Sequence, residues 1–168
     1  MENSTLPELP LRQGTVPNTS QVPPHLQLDQ WPPAAIHEEL LRRCIGLPQV
    51  SSRESRLARA ETQALWICDD LARGRREAFI DDHEFCHIHP LPEGSLHMTL
   101  PGVVRRMAFC RGWAQQHIIA RAGLLPEQLV LVYAPRDHME LGVVMSLVEV
   151  SCQFALGSSF PGDTPPAT

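Results

Sequence analysis

Residues 84–101, EFCHIHPLPEGSLHMTLP, decide the fold. Two short alternating runs, 85–89 and 95–100, flank Pro90-Leu91-Pro92-Glu93-Gly94, a connection rich in turn formers, and this arrangement predicts a β-hairpin. Side chains alternate along a strand, so Phe85, His87 and His89 are expected on one face together with Ser95, His97 and Thr99. Cys86, Ile88, Leu96, Met98 and Leu100 form the apolar face that a core would bury. With His89 opposite Ser95, the register sets His87 directly across from His97, their side-chain roots about 5 Å apart. The hairpin therefore clusters three imidazoles.

Two histidines two apart on one strand, meeting a third from the next, form a pattern that suits zinc, because neutral imidazoles bind it at about 2 Å. The plainer reading is an antiparallel sheet with one solvated face, on which histidine is one polar residue among others. The overlapping His83-Glu84-Phe85-Cys86-His87 spells H-E-x-x-H, a metalloprotease motif when it lies on a helix. On a strand rising roughly 3.3 Å per residue, however, those two histidines stand about 13 Å apart and cannot share an ion. The period-two alternation and the nearby Pro90 favour the strand.

Composition narrows the chemistry further. The 168 residues fit one domain with tails, 43% are apolar, and the net charge is -5, so no basic field is present to hold a phosphate backbone and nucleic acid is not an expected partner. All 14 basic residues are arginine, which removes Schiff-base chemistry, pyridoxal phosphate attachment and the P-loop lysine. Five cysteines at 44, 68, 86, 110 and 152, with no C-x-x-C pair, argue against a disulfide framework and read as small hydrophobes in a reducing compartment. No signal peptide and no membrane span is expected, so the expected location is cytoplasmic.

Taken in order, residues 1–33 carry seven of the sixteen prolines and are expected to be a disordered tail. Within it, Pro7-Glu8-Leu9-Pro10-Leu11-Arg12 has the P-x-x-P-x-R form of polyproline-domain ligands, a form that also arises by chance in such tails. Ile36, Leu40, Leu41 and Cys44 predict an amphipathic helix over 34–45, followed by a polar connection over 49–56. Residues 64–68 fit a strand or part of a helix, and a short helical stretch is expected between Asp69 and Phe79. A helix follows Pro101 and closes at Gly112; 114–123 stays open between readings. The apolar run 129–133 predicts a central strand ended by Pro135. Asp137 and Glu140 make a D-x-x-E capping box ahead of a largely buried helix closed by Gly157, and 158–168 is again a Pro-rich tail expected to be disordered. One domain over 34–157 results.

These segments resemble the luciferase-domain family, small bacterial and fungal proteins. The resemblance rests on residues 84–101, on Gly112-Trp113, on LVLVYAPRDHMEL at 129–141 and on the serine-containing helix over 148–157, and reaches back to Gly46-Leu47-Pro48. Where the family follows its tryptophan with a His-Pro pair, this chain has His117-Ile118. The order of elements is also similar to YjbR-like domains, which implies a two-layer α+β fold, an antiparallel sheet with helices packed on one face. That architecture leaves the histidine face of the sheet open.

Two functions are therefore expected. One is a binding or accessory module whose exposed sheet face, with His87, His89, His97 and Tyr133, takes a small molecule or a protein partner. The alternative is a zinc-dependent enzyme of hydrolase or lyase type, with His87, His89 and His97 on the metal and Glu93 or Glu84 handling the proton. No spacing places a carboxylate beside them and no G-x-S-x-G elbow exists, so catalytic residues stay unassigned.

Overall fold

The computed structural model describes residues 5–162 apart from Leu57 and Arg59. The first helix, α1 (Ala34–Ile45), follows Pro33 and is stopped at Gly46. Strands β1 (Val50–Glu54) and β2 (Gln63–Ile67) come next, then a single 3₁₀ turn (Arg76–Ala78). The predicted hairpin is β3 (Glu84–Ile88) and β4 (Leu96–Thr99). After it come α2 (Gly102–Cys110), β5 (Ala114–Gln116), the short α3 (Ile118–Arg121), β6 (Leu129–Val132) and the long α4 (His138–Ala155). The strands form one antiparallel sheet in the order β1-β2-β3-β4-β6-β5. The fold is thus α+β in two layers, with α1, α2 and α4 on one face.

The apolar residues of the hairpin explain which face the helices cover. Cys86, Ile88, Leu96 and Met98 join Leu65, Ile67, Val130 and Val132 on the sheet side of the core, and Leu40, Val104, Leu141, Val144 and Val148 supply its helical side. Fully burying each such side chain stabilises the fold by about 1.5–3 kcal/mol. Asp137 caps α4 as expected, its side chain accepting from Glu140 N at 2.9 Å. The reciprocal half of the box is replaced, because the Glu140 carboxylate accepts from Arg136 N and from the Arg136 guanidinium, and stands 3.5 Å from Arg12.

Local readings are corrected at several places. The polar connection over 49–56 is the edge strand β1, whose residues are exposed or half-buried because it pairs on one side alone. The helical stretch expected after Asp69 is reduced to the 3₁₀ turn. Of the ambiguous segments, 64–68 resolves to β2 and 114–123 divides into β5 and α3.

The larger difference lies in the Pro-rich start of the chain. Residues 19–27 lie across the sheet face opposite the long helices, where His25 and Gln27 are buried, while Leu9 packs into the helix-side core and Arg12 is buried against Trp113 and Tyr133. Arg12 N donates to Arg111 O at 2.9 Å, Trp113 Nε1 donates to Pro10 O at 2.6 Å, and a small antiparallel bridge pairs Thr19 with Gln27. The segment has too few apolar groups for a core of its own, but it borrows a sheet that already exists, and its prolines lower the entropy lost on ordering. The P-x-x-P-x-R form is consumed by this packing, with Leu9 and Arg12 each 5% exposed. At the other end Phe160 is buried in the core, while residues 163–168 of the expected tail, like 1–4, fall outside the described residues.

Candidate functional site

The register of the hairpin is the one expected: His87 pairs with His97, and His89 N donates to Ser95 O at 3.0 Å. Across the sheet one row runs Ala64, His87, His97, Leu131, Gln115. The histidine face is not open, however. His87, His89 and His97 are only 4%, 3% and 5% exposed, because the N-terminal strap lies over them and hands its own His25 to the cluster. His117, at the N-cap of α3, completes a group of five, its ring 4.4 Å from that of His97 and 5.0 Å from that of His25.

A bulge supplies the first carboxylate. Leu65 pairs with Cys86 but Trp66 pairs with Glu84, so two residues of β3 oppose one of β2. Phe85 turns into the core beside Cys86, correcting its expected place on the histidine face, and Glu84 comes round to the side of His87. Without the bulge, residues three apart on a strand would point to opposite faces. Glu84, with no exposed surface, accepts from His87 Nδ1 at 2.6 Å and from Ser55 Oγ at 3.1 Å. Glu93, in the hairpin loop, does the same for His89, accepting from its Nδ1 at 2.6 Å, from Gln27 N at 2.7 Å and from Ser95 Oγ. Burial alone would raise the Glu93 carboxyl, but these donors outweigh it and hold it below the usual range.

The outer contacts fix the tautomers. Carboxylates and carbonyls only accept, so His87 and His89 carry their protons on Nδ1, and His97, bonded through Nε2 to His25 O at 2.9 Å, carries its proton on Nε2. The inward nitrogens of all three are then lone pairs, and His87 Nε2 faces His97 Nδ1 at 3.0 Å. His25 and His117 are the reverse. Gln115 Nε2 donates to His25 Nε2 at 2.8 Å and Ile119 N donates to His117 Nδ1 at 3.3 Å, which leaves protons on His25 Nδ1 and His117 Nε2. His25 Nδ1 is buried with no partner. Burial pushes His25 down to about 4 and His117 to about 3, with Arg121 adding to the first and the neighbouring imidazoles to the second. Burial, then the crowding of other rings, also depresses His97, and burial depresses His87 against the pull of Glu84.

All five rings line a cavity of about 450 Å³, together with Pro23, Pro24, Ala58, Ile80, Ile119, Leu125 and Leu129. Two overlapping triads, His87/His89/His97 and His25/His97/His117, each have nitrogens within 4.8 Å of one another, the separation of a possible metal centre. Tyr133 does not line the cavity; its hydroxyl donates to Gln115 Oε1 at 2.9 Å and Arg12 lies over its ring, so it stands behind Gln115, which in turn holds His25. His83 is also elsewhere, paired with Asp69 on the surface, which separates the two histidines of the H-E-x-x-H pattern. The sequence reading missed His25, since nothing in the Pro-rich start marks a ring that only tertiary packing delivers. A histidine at a family motif position was the one available signal for His117.

The architecture and site define a class: a two-layer α+β domain with a roofed, imidazole-lined cavity whose rings are backed by buried carboxylates. Residues 82–151 match the family model of the Luciferase domain. Proteins named Luciferase from Armillaria ostoyae and Armillaria mellea are 26% identical over 162 aligned positions, covering 87% of this chain and 60% of each relative. A Luciferase from Neonothopanus nambi is 33% identical over 70 residues, 40% of this chain and 26% of that protein. The chain thus spans about 60% of the length of the Armillaria relatives. No solved structure matches it, and the likeness to YjbR-like domains rests on element order alone.

Proposed function

We propose that this luciferase-domain protein binds a small, largely apolar molecule bearing an oxygen function, taken into the cavity beneath the N-terminal strap. The observation that carries this reading is the lining itself. Ile80, Ile119, Leu125 and Leu129 offer apolar walls, while five imidazoles converge with both lone pairs and N–H groups to orient a polar substituent. A concave space of about 450 Å³ falls in the range of small-molecule sites.

A second reading, catalysis in the same cavity, is favoured by the two Glu-backed imidazoles, because a carboxylate that fixes a ring's tautomer makes its other nitrogen a better base. The fungal relatives carry an enzyme's name, which supports this reading as well.

Calorimetric titration with naphthol and with naphthalene tests the binding function. Naphthol is expected to bind roughly ten-fold more tightly, the worth of one hydrogen bond of about 1.4 kcal/mol. Leu125→Trp, which fills the cavity, should abolish both. No binding of either probe by the folded wild type, or binding indifferent to the filled cavity, would sink the proposal.

A further inference from the structure

The geometry points to a divalent transition-metal site of the zinc type, made by His87 Nε2, His89 Nε2 and His97 Nδ1, with Glu84 and Glu93 as the outer residues that orient two of the ligands. The site uses the cavity assigned above to a small molecule, but stands or falls on metal binding alone.

Three hydrogen bonds to the rings lead to it. Glu84 holds the proton of His87 on Nδ1, Glu93 holds that of His89 on Nδ1, and the backbone carbonyl of His25 holds that of His97 on Nε2. Each of these contacts turns a neutral ring so that its remaining lone pair points inward. Two of those lone pairs then meet at 3.0 Å, an approach that repels unless a cation sits beside them. Nitrogens sharing a tetrahedral zinc at about 2.0–2.1 Å stand roughly 3.3 Å apart, so the His87 to His97 separation already matches a bound ion. The third nitrogen, on His89, completes a set lying within 4.8 Å. Ring N–H groups held by carboxylates or carbonyls are the usual outer support of metal-bound histidine.

The second triad does not have this arrangement. His97 Nε2 is already bonded to His25 O, His25 Nε2 accepts from Gln115, and His117 Nδ1 accepts from Ile119 N. With their protons on Nδ1 and Nε2 respectively, His25 and His117 have no free lone pair to offer an ion. Three neutral imidazoles with no thiolate suit zinc, and equally cobalt, nickel or copper by donor type. Of the five cysteines, Cys44, Cys86 and Cys152 lie in the core, and none lines the cavity.

The test uses the full chain without a histidine tag, stripped with a chelator and titrated with Zn²⁺ and with Co²⁺, whose visible bands report tetrahedral nitrogen ligands. One equivalent is expected to bind, with tetrahedral Co²⁺ bands displaced by Zn²⁺. His89→Gln should lower affinity at least 100-fold. Glu84→Gln, which keeps a hydrogen-bonding group at the same place, should lower it 10- to 100-fold with the circular dichroism spectrum unchanged. His117→Gln should change it less than five-fold. Failure of the folded wild type to take up either ion, leaving the facing nitrogens to share a proton, overturns the assignment. So does a loss of binding that follows His117→Gln but not His89→Gln.

Discussion

A single carboxylate shows how closely the residues of the cavity depend on one another. Glu93 accepts from His89, from Ser95 and from the backbone of Gln27, so one side chain ties the hairpin loop to the strap. Removing it strands three buried donors, each costing about 1–3 kcal/mol. Glu93→Ala is expected to destabilise the protein by about 3 kcal/mol or more in denaturant unfolding, and to release amide exchange at Gln27 ahead of the core. A loss below about 0.5 kcal/mol, or unchanged protection at Gln27, would contradict that role. Glu84 is bound as tightly, yet its place beside His87 depends on a bulge that no residue type announces.

At the scale of elements, the hairpin loop and the strap are fitted to each other. Gly94 has φ +64°, and a Cβ built there would lie 2.6 Å from Pro32 Cγ and 3.1 Å from the ring of His37, which itself bonds to His89 O at 2.9 Å. Gly94→Ala combines a left-handed backbone penalty with this overlap. A loss of about 1–3 kcal/mol is expected, and limited proteolysis should cut the strap sooner than in the wild type. Equal stability with an unchanged cleavage pattern would show that the loop and strap are not coupled. The long helix has a different character: α4 buries eleven of its residues against the sheet and α1, and would tolerate little beyond volume-conserving exchange.

Across the whole molecule the cluster makes folding depend on acidity. An unfolded imidazole takes a proton near pH 6.5, whereas folded His25 does so only at about 4 and folded His117 at about 3. Between those limits the unfolded chain binds more protons, so stability rises with pH. The contribution is complete above about pH 6.5 and is lost progressively as pH falls toward 3. In chelator, the melting temperature at pH 5 is expected to lie roughly 3–8 °C below that at pH 7. His117→Gln, which removes one of these groups, should flatten the dependence; an equally steep profile in the variant would place the titrating groups elsewhere. Among the described residues no helix is long and apolar enough to cross a membrane.

Periodicity, with the turn and capping residues, determined the hairpin, its register, the face that meets the helices except at Phe85, and the start and end of α1 and α4, because each follows from side-chain geometry within a few residues. The meeting of His87 with His97 was legible for the same reason. Only the tertiary structure decided that the histidine face is roofed, that His25 and His117 join it, and that Glu84 turns toward His87. These depend on contacts between segments far apart in the chain, such as Gln115 with His25, 90 residues away, and on a bulge set by the neighbouring strand. Local pattern carries no record of a partner that arrives from elsewhere in the chain.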